Sequence, residues 1–209
     1  SFGAGADQLN ISGGAIVRGA ITDSDGRLAI DIGNGTLEAQ QASRTNVTSL
    51  NVGATGTLLV GLNAGTGASG GFRVNGAANL ANGASLGIRF TSLLQSPQRF
   101  TIIDANTLTI GTLNQTGIQA NSPYLYVVSA GADIAAADVY IDARRRTASE
   151  AGLIPVEASA FDVIYGSIDD NSTLLNAFLG QTTREGFIDL YEQMLPDHSG
   201  GPLLSLASG

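Results

Sequence analysis

The sequence predicts an all-β fold: a right-handed parallel β-helix (a solenoid) with a C-terminal β cap, followed by a helical tail. Three observations favour this fold: a high glycine content, a short apolar repeat in the first half, and helical spacing near the end. The 209 residues include 28 glycines. Because each glycine inside a helix costs about 1 kcal/mol relative to alanine, a mostly helical chain is not expected. Short strands joined by tight turns use glycine without steric cost.

The repeat consists of two apolar residues separated by one residue, with a glycine close behind. Its second apolar residue is Ile11, Ile32, Val52 and then Val74, in steps of 21, 20 and 22 residues. Alternation at a period of two predicts a strand with one buried face, and glycine or asparagine after it predicts a turn. A repeat this short cannot enclose its own core, so it gains stability only by stacking on its neighbours. Residues 1–92 are therefore predicted to form solenoid rungs.

Each repeat also leads to a second short apolar element, which predicts another strand in every rung. The alternative fold is an antiparallel sandwich or jelly roll in which the spacing of the repeat is a coincidence. The second elements are Ile16-Val17, Leu37, Leu58-Leu59-Val60, and Leu80 with Leu86-Gly87-Ile88.

From about Leu93 the repeat loosens, and the apolar segments become longer and more aromatic. A solenoid ends in an open row of backbone donors and acceptors that invites edge-to-edge association, so its terminal repeats have to close that end. Residues 93–146 are therefore predicted to form the cap. The predicted strands of the cap are residues 100–104, 108–110, 124–128 and 139–142.

After Arg146 the sequence shows no convincing strand beyond residues 161–164 and takes up helical spacing. Residues 182–185 offer a capping box, and Pro196 ends the helix that follows. Further helical segments are expected at residues 174–179 and 203–207. Residues 147–209 are therefore predicted to be a helical linker. The apolar face of its main helix consists of Phe187, Leu190, Tyr191, Met194 and Leu195.

The charged residues and the absence of cysteine exclude several classes of function. Without cysteine the chain has no disulfide, no thiolate nucleophile and no zinc–thiolate site. The net charge of −8 argues against nucleic acid as a partner, and the basic run at residues 144–146 is too short to reverse this. No apolar stretch reaches the roughly 18–20 residues of a transmembrane helix. Residues 1–5 lack signal-peptide features, so for an exported chain we expect the signal to lie elsewhere.

Two groups of residues invite a catalytic interpretation. His198 lies between Asp197 and Ser199, but consecutive residues point their side chains apart, so a turn is predicted instead of a catalytic triad. Cleavage of a polysaccharide needs two carboxyl groups about 5–9.5 Å apart, usually among aromatic residues. Asp23, Asp25 and Asp31 are the candidates, but residues 23–26 are typical of a turn, and the chain has no tryptophan.

Two glycine-rich segments invite a ligand-binding interpretation. Residues 2–9 approximate a calcium-binding nonapeptide, but such sites need tandem copies, and a structural turn in which Asp7 caps a rung is favoured. Residues 65–70 fit the spacing GxGxxG, but no strand–helix–strand unit surrounds them, so a loop between rungs is expected. The sequence thus predicts a protein that is not an enzyme, with no catalytic, cofactor-binding or metal-binding residues and no cofactor.

Four segments occur in an order that resembles a known family. They are FTIIDA at residues 100–105, YLYVV at 124–128, VYI at 139–141 and YEQMLPDHSGG at 191–201. Together with the glycine- and asparagine-rich rungs, this order resembles the passenger-to-barrel junction of type V autotransporters. The resemblance implies a β-helical passenger stalk, an autochaperone region at its C-terminal end, and a linker helix that enters the chain's own outer-membrane β-barrel after Gly209.

The expected function follows from that resemblance. It is a non-enzymatic passenger stalk and junction that nucleates folding of the β-helix during secretion across the outer membrane of a Gram-negative bacterium. The expected location is the cell surface, the outer membrane or the secreted fraction, and a host or neighbouring cell surface is a second expected partner. Two alternatives are an adhesin stalk that binds glycans or cells, and a β-helix that acts on polysaccharides.

Overall fold

The structure, a computed structural model, describes residues 1–195, and its strands and helices follow one another along that range. The strands are β1 (Gln8–Ile11), β2 (Ile16–Gly19), β3 (Ala29–Ile32), β4 (Thr36–Ala39), β5 (Thr45–Val47), β6 (Ser49–Val52), β7 (Thr57–Asn63), β8 (Ala68–Ser69), β9 (Phe72–Leu80), β10 (Ser85–Phe90), β11 (Gln98–Ile110), β12 (Tyr126–Asp133) and β13 (Asp138–Arg145). The helices are α1 (Gln115–Ala120), α2 (Ala148–Ala151), α3 (Pro155–Ala158), α4 (Phe161–Ile168), α5 (Ser172–Gly180) and α6 (Arg184–Glu192).

The strands form two sheets whose neighbours mostly run parallel. Sheet one has the order β1-β3-β6-β9-β11-β13-β12, and sheet two has the order β10-β7-β4-β2. The short β5 pairs with β9, and the short β8 pairs with β7. Apart from these two short strands, the chain passes from one sheet to the other at every strand from β1 to β10. The prediction of a mostly β fold with parallel sheets is confirmed, whereas an antiparallel sandwich does not describe this pairing.

The first three repeats stack in the register that the sequence predicts. In sheet one Ile11 lies beside Ile32, and Ile32 lies beside Val52. In sheet two Leu37 of β4 lies between Val17 and Leu58 of its neighbours. Ile11, Ile32, Val52, Leu37 and Leu58 are buried in one core, because alternate residues of a strand point to the same face, whereas Ile16 of the outermost strand β2 is exposed.

The fourth repeat does not have the predicted register. Val52 pairs with Leu80 and not with Val74, so the step here is 28 residues. Residues 72–74 lie beside β5 instead. The physical reason is an insertion, because residues 64–71 leave sheet two, turn back as the antiparallel strand β8 and only then enter β9. An apolar alternation repeats at both ends of the long β9, and the sequence pattern alone selects the wrong end.

Glycine and asparagine shape the turns between stacked strands. A Cβ atom on Gly53 would overlap the carbonyl group of Gly33 in the preceding repeat, so only glycine allows this close approach. The Asn34 side chain accepts a hydrogen bond from the backbone N–H of Gly13 at 2.6 Å. Side-chain amides at the corners thus satisfy backbone groups of the neighbouring repeat.

The C-terminal part of sheet one differs from the prediction in three respects. Residues 100–104 and 108–110 belong to a single long strand, β11, and the parallel pairing with β9 continues through Ile110. A helix, α1, lies between β11 and β12, where no helix was predicted. β12 begins at Tyr126, so residues 124–125 are not part of the strand.

The residues after β13 form short helices. The sequence interpretation placed a strand at residues 161–164. These residues belong instead to α4, in which Phe161 and Ile164 are buried. The predicted helical segment near residues 174–179 is confirmed as α5, and the amphipathic helix is confirmed as α6, but α6 ends at Glu192, so Met194 and Leu195 of the predicted face lie after its end. The N-cap of α6 is Thr183, one residue later than predicted, and its side chain accepts a hydrogen bond from the N–H of Gly186.

Some sequence predictions fall outside the described residues. They are the stop at Pro196, the trio at residues 197–199 and the helical segment at residues 203–207. Among residues 1–195, no helix is long and apolar enough to cross a bilayer.

We expect Gly53→Ala to destabilise the protein much more than Gly3→Ala. The added methyl group at position 53 would overlap the Gly33 carbonyl, whereas nothing lies within 4 Å of a Cβ atom at Gly3. Overpacking of this kind costs about 1–3 kcal/mol of unfolding free energy. Urea denaturation of the two variants measures the difference, and equal midpoints would contradict this stacking geometry.

Candidate functional site at the closed end of sheet one

β11 is the strand at which the pairing of sheet one changes direction. Residues 103–110 pair parallel with β9, and residues 98–104 pair antiparallel with β13. β12 and β13 form an antiparallel hairpin, so β12 is the last strand of the sheet. The hairpin replaces the next parallel repeat and ends the stack. We call β11, β12, β13 and α1 together the cap.

Two glutamine side chains of α1 cover the outer edge of β12. Gln115 donates from Nε2 to the Ala130 carbonyl at 2.9 Å and accepts from the Ala130 N–H at 3.2 Å. Gln119 donates to the Tyr126 carbonyl at 3.1 Å and accepts from the Val128 N–H at 3.0 Å. An amide side chain carries the same donor and acceptor as a peptide group. These two side chains therefore pair with the edge as a neighbouring strand would.

The position of α1 follows from local sequence. Asn114 is its N-cap, and the Asn114 side chain accepts a hydrogen bond from the N–H of Gly117 at 2.9 Å. Gln115 and Gln119 are four residues apart, so they lie on the same face of the helix. Ile118 is fully buried and anchors α1 on the core. In the sequence, a pair of glutamines at positions i and i+4 after an asparagine N-cap indicates this covering of the β12 edge. The sequence interpretation missed this pattern.

A buried pair of tyrosines joins the cap to α4. The Tyr165 hydroxyl donates to the Leu94 carbonyl at 2.6 Å, and the Leu94 N–H donates to the Tyr126 hydroxyl at 3.1 Å. The two hydroxyl oxygens are 3.3 Å apart. Burial raises the pKa of both tyrosines, so both stay neutral donors at physiological pH. The network ties the segment after β10 to the end of sheet one.

The basic run at the end of β13 pairs within the protein. Arg144 makes a bidentate ion pair with Glu150, in which both N–O distances are 2.7 Å. Hydrogen bonds from Arg144, then from the backbone of Thr147, lower the pKa of Glu150 to about 2. Thr147 and Glu150 also form the capping box of α2. The Arg144 pair thus fixes the direction in which the chain leaves the sheet.

The next two arginines contact aromatic residues of the surrounding helices and loop. Arg145 pairs with Asp162, and its guanidinium lies 4.4 Å from the ring centroid of Tyr165. Arg146 donates to the Tyr124 carbonyl at 2.6 Å and lies 4.4 Å from the centroid of that ring. Cation–π contacts of this kind add to the ion pairs. Three successive arginines therefore hold three different parts of the closed end.

The predicted apolar face of α6 packs against the other helices and against Tyr124, which lies just before β12. Phe187 and Tyr191 are 0% and 1% exposed. The ring of Phe187 lies 5.6 Å from that of Tyr124 and 5.9 Å from that of Phe178. Tyr124 also donates its N–H to the Gln181 carbonyl at 2.7 Å. The helical segment is therefore part of the same hydrophobic core as the sheets.

A charged cluster connects sheet two to the end of α1. Glu38 is only 7% exposed and accepts hydrogen bonds from Arg18 at 2.9 Å and from Gln40 at 3.0 Å. Burial raises the pKa of Glu38, but the hydrogen bonds from Gln40 and Arg18 and the charge of Arg89 outweigh it and lower the pKa overall. Arg89 in turn donates to the Asn121 carbonyl at 2.7 Å.

Two of the three aspartates considered for catalysis serve a turn, and the third lies on a strand. Asp25 accepts backbone hydrogen bonds from Gly5 at 2.8 Å and from Arg27 at 3.2 Å, and the Gly5 bond is the main cause of its lowered pKa. Asp23 accepts from the Leu28 N–H at 2.9 Å. Asp31 lies on β3, in a row with Asn10 and Asn51 on the neighbouring strands. Asp23 and Asp25 thus share one turn, and Asp31 belongs to a different element.

The glycine-rich segments have structural roles in the described residues. Asp7 precedes β1, and its backbone carbonyl accepts the N–H of Ala29, a bond that does not involve the side chain predicted to cap the rung. One carboxylate oxygen of Asp7 and one of Asp23 are buried without a hydrogen-bond partner within residues 1–195. In the same range, no three His, Cys, Asp or Glu side chains are arranged to hold a metal ion. Residues 65–70 form the loop that leads through β8.

Comparison with known proteins found no matching family model, no matching curated protein and no matching solved structure. The defining feature of the closed end is a sheet with a covered edge at β12 and a parallel ladder on the opposite side of β11.

We expect the double substitution of Gln115 and Gln119 by alanine to expose the edge of β12. Each lost pair of hydrogen bonds costs about 1 kcal/mol, and an open edge strand promotes association between molecules. Sedimentation velocity should show dimers or larger species that the unaltered protein does not form at the same concentration. The matched control replaces the exposed Gln95 and Gln193 by alanine, and association in both double variants to the same extent would contradict the edge-cover role.

Proposed function

We propose that this chain is the C-terminal part of an autotransporter passenger, in which the cap nucleates the folding of a β-helical stalk during secretion. The observation that carries the proposal is the asymmetry of the cap. On one side β11 offers a parallel edge that pairs with β9, and on the other side the sheet ends at β12 under Gln115 and Gln119. Further parallel strands can therefore be added only on the β9 side of β11.

From the strand pairing we infer that the chain winds as a right-handed β-helix. The strands alternate between the two sheets, and connections between parallel strands of one sheet are right-handed in about 98% of cases. A third line of pairing supports a closed coil, because Phe2 forms a bridge with Asp23, and β5 pairs with residues 72–74 of β9. We accordingly propose residues 1–92 as rungs, 93–146 as the cap region and 147–209 as the linker toward an outer-membrane barrel.

The order of folding follows from the length of the repeats. Each repeat gains its stability from a neighbour, so the first one to form needs a structure that does not depend on further repeats. The cap meets this need, because the β12–β13 hairpin is formed by residues close in sequence and α1 covers its outer edge. Later repeats add through contacts about 20–30 residues apart, which keeps the contact order low and folding fast.

Secretion and location are part of the same proposal. In the autotransporter family that the sequence resembles, the C-terminal end of the passenger reaches the outside first, so the cap would be the earliest part available to fold. A chain without cysteine crosses an oxidising periplasm without forming wrong disulfides. The proposed partner is the chain's own outer-membrane barrel, and the proposed location is the surface of a Gram-negative cell.

We expect Ile141→Ala in the cap to slow refolding, and Ile32→Ala in the second rung to accelerate unfolding with little change in the refolding rate. Both isoleucines are 0% exposed in sheet one, so each substitution costs about 2–5 kcal/mol. A substitution in a folding nucleus acts on the refolding rate, whereas one elsewhere acts on the unfolding rate. Stopped-flow dilution out of urea measures the refolding rate, and dilution into urea measures the unfolding rate.

The same pair of variants tests the role in secretion. Each is placed between an export signal and an outer-membrane β-barrel, and whole cells are treated with protease. We expect the Ile141→Ala passenger to reach the surface and be digested, and the Ile32→Ala passenger to keep a resistant C-terminal fragment. A slower refolding of Ile32→Ala than of Ile141→Ala, or equal protease resistance of the two passengers, would refute the proposal.

A further inference from the structure

Gly61 lies in the interior of β7, where no structural requirement explains a glycine. Its backbone is outside the left-handed region, and the nearest atom to an added Cβ would be the Gln41 carbonyl oxygen at an ordinary 3.6 Å. By contrast, a Cβ atom on Gly87, in the adjacent β10, would come within 2.6 Å of the Asn121 carbonyl oxygen. Glycine weakens a strand interior and marks places where another group comes close. Since an added Cβ atom at Gly61 would meet its neighbours only at ordinary contact distances, packing does not require this glycine, and the missing side chain leaves space beside β7.

That space is a cleft of about 220 Å³ on the outer side of sheet two. The insertion that breaks the repeat forms one wall, because residues 64–71 fold back over the end of β7 as β8. In stacked-repeat proteins, insertions into single repeats collect on one face, which is often the binding face. The residues that line the cleft are Gln40, Gln41, Ala42, Gly61, Leu62, Asn63, Thr66, Ala68 and Thr91.

The lining of the cleft is uncharged and rich in amide and hydroxyl groups. Amides present both donors and acceptors, and hydroxyls present either, so together they match a ligand with several hydroxyl groups. The alanine and glycine positions supply apolar surface for the C–H face of a ring. No lining residue offers a charge to a phosphate, a carboxylate or an ammonium group. The cleft is smaller than the roughly 300–1,000 Å³ of drug-sized sites, which limits the occupant to about one ring.

Several of these side chains are held in place before any ligand binds. Gln41 is 8% exposed, accepts from the Ile21 N–H at 3.2 Å and donates to the Gly71 carbonyl at 3.4 Å. Asn63 accepts from the Thr66 N–H at 3.0 Å, which fixes the start of the inserted loop. Preorganised polar groups lose little entropy on binding, so even a small cleft can hold a polar ligand.

We propose that the cleft over Gly61 binds a single neutral sugar ring through the amides of Gln40 and Asn63 and the hydroxyls of Thr66 and Thr91. The ring would lie on the flat surface that the glycine leaves on β7. A sugar acid is disfavoured, because the lining is uncharged, Arg89 beside Gly61 already pairs with Glu38 and the Asn121 carbonyl, and the chain carries a net charge of −8. This binding site is independent of the proposed role in secretion, since it involves neither the cap nor the linker.

The experiment is saturation-transfer difference NMR of the full chain with the methyl glycosides of glucose, galactose, mannose and N-acetylglucosamine, and with galacturonate as the charged probe. We expect at least one neutral glycoside to receive saturation, and galacturonate to receive less. The variant Gly61→Leu places a side chain in the cleft, and its Cβ atom meets only ordinary contacts, so we expect it to fold normally by circular dichroism and to weaken binding at least tenfold. Gly180→Leu is the matched control, since nothing lies within 4 Å of a Cβ atom there.

Each result of this experiment either supports or overturns the proposed binding site. Binding that is lost in Gly61→Leu and kept in Gly180→Leu supports the site. If folding of Gly61→Leu is impaired, Gln40→Ala, at an exposed position, provides the second test, and it too should weaken binding. No saturation of any neutral glycoside by the unaltered protein, or equal binding by the unaltered protein, Gly61→Leu and Gln40→Ala, overturns the proposal.

Discussion

The backbone hydrogen bonds between neighbouring repeats are the constraint on which the rest of the structure depends. A strand of four residues such as β1, β3 or β6 cannot satisfy its own peptide groups, so every strand needs a partner at the same register on at least one side. The stack must consequently end somewhere without leaving an open edge. The antiparallel hairpin, the glutamines of α1 and the helices behind them are the solution at the C-terminal end.

Close stacking also explains where the protein uses glycine and where it uses ionic contacts. Gly53 is required because a neighbouring carbonyl occupies the space of its side chain, and Gly131 allows the ring of Tyr140 to lie across the cap. Most ion pairs link neighbouring strands and their connections, as at Arg99 and Asp142, and two others, of Arg144 with Glu150 and of Arg145 with Asp162, join the end of β13 to the helices. Gly61 is one of several glycines that close stacking does not require, and it is the one that lines the cleft in sheet two.

The sequence predicts the parts of the fold that depend on local alternation. Ile11, Ile32 and Val52 stack as their spacing indicates, since a short regular repeat has only one register that buries its apolar face. Val74 was assigned wrongly because the insertion before β9 is visible only when strands are paired in space. The edge cover by Gln115 and Gln119 was missed for a similar reason: an exposed glutamine carries no sign of the strand with which it pairs.

Native-state hydrogen exchange tests the central claim most directly, because it measures the stability of each strand separately. If short repeats hold together only through their neighbours and the closed end anchors the stack, amides of β11 and β13 should exchange most slowly, and protection should fall from β9 through β6 and β3 to β1. Amides in β1 and β3 that exchange as slowly as those in β11 and β13, or more slowly, would contradict the account.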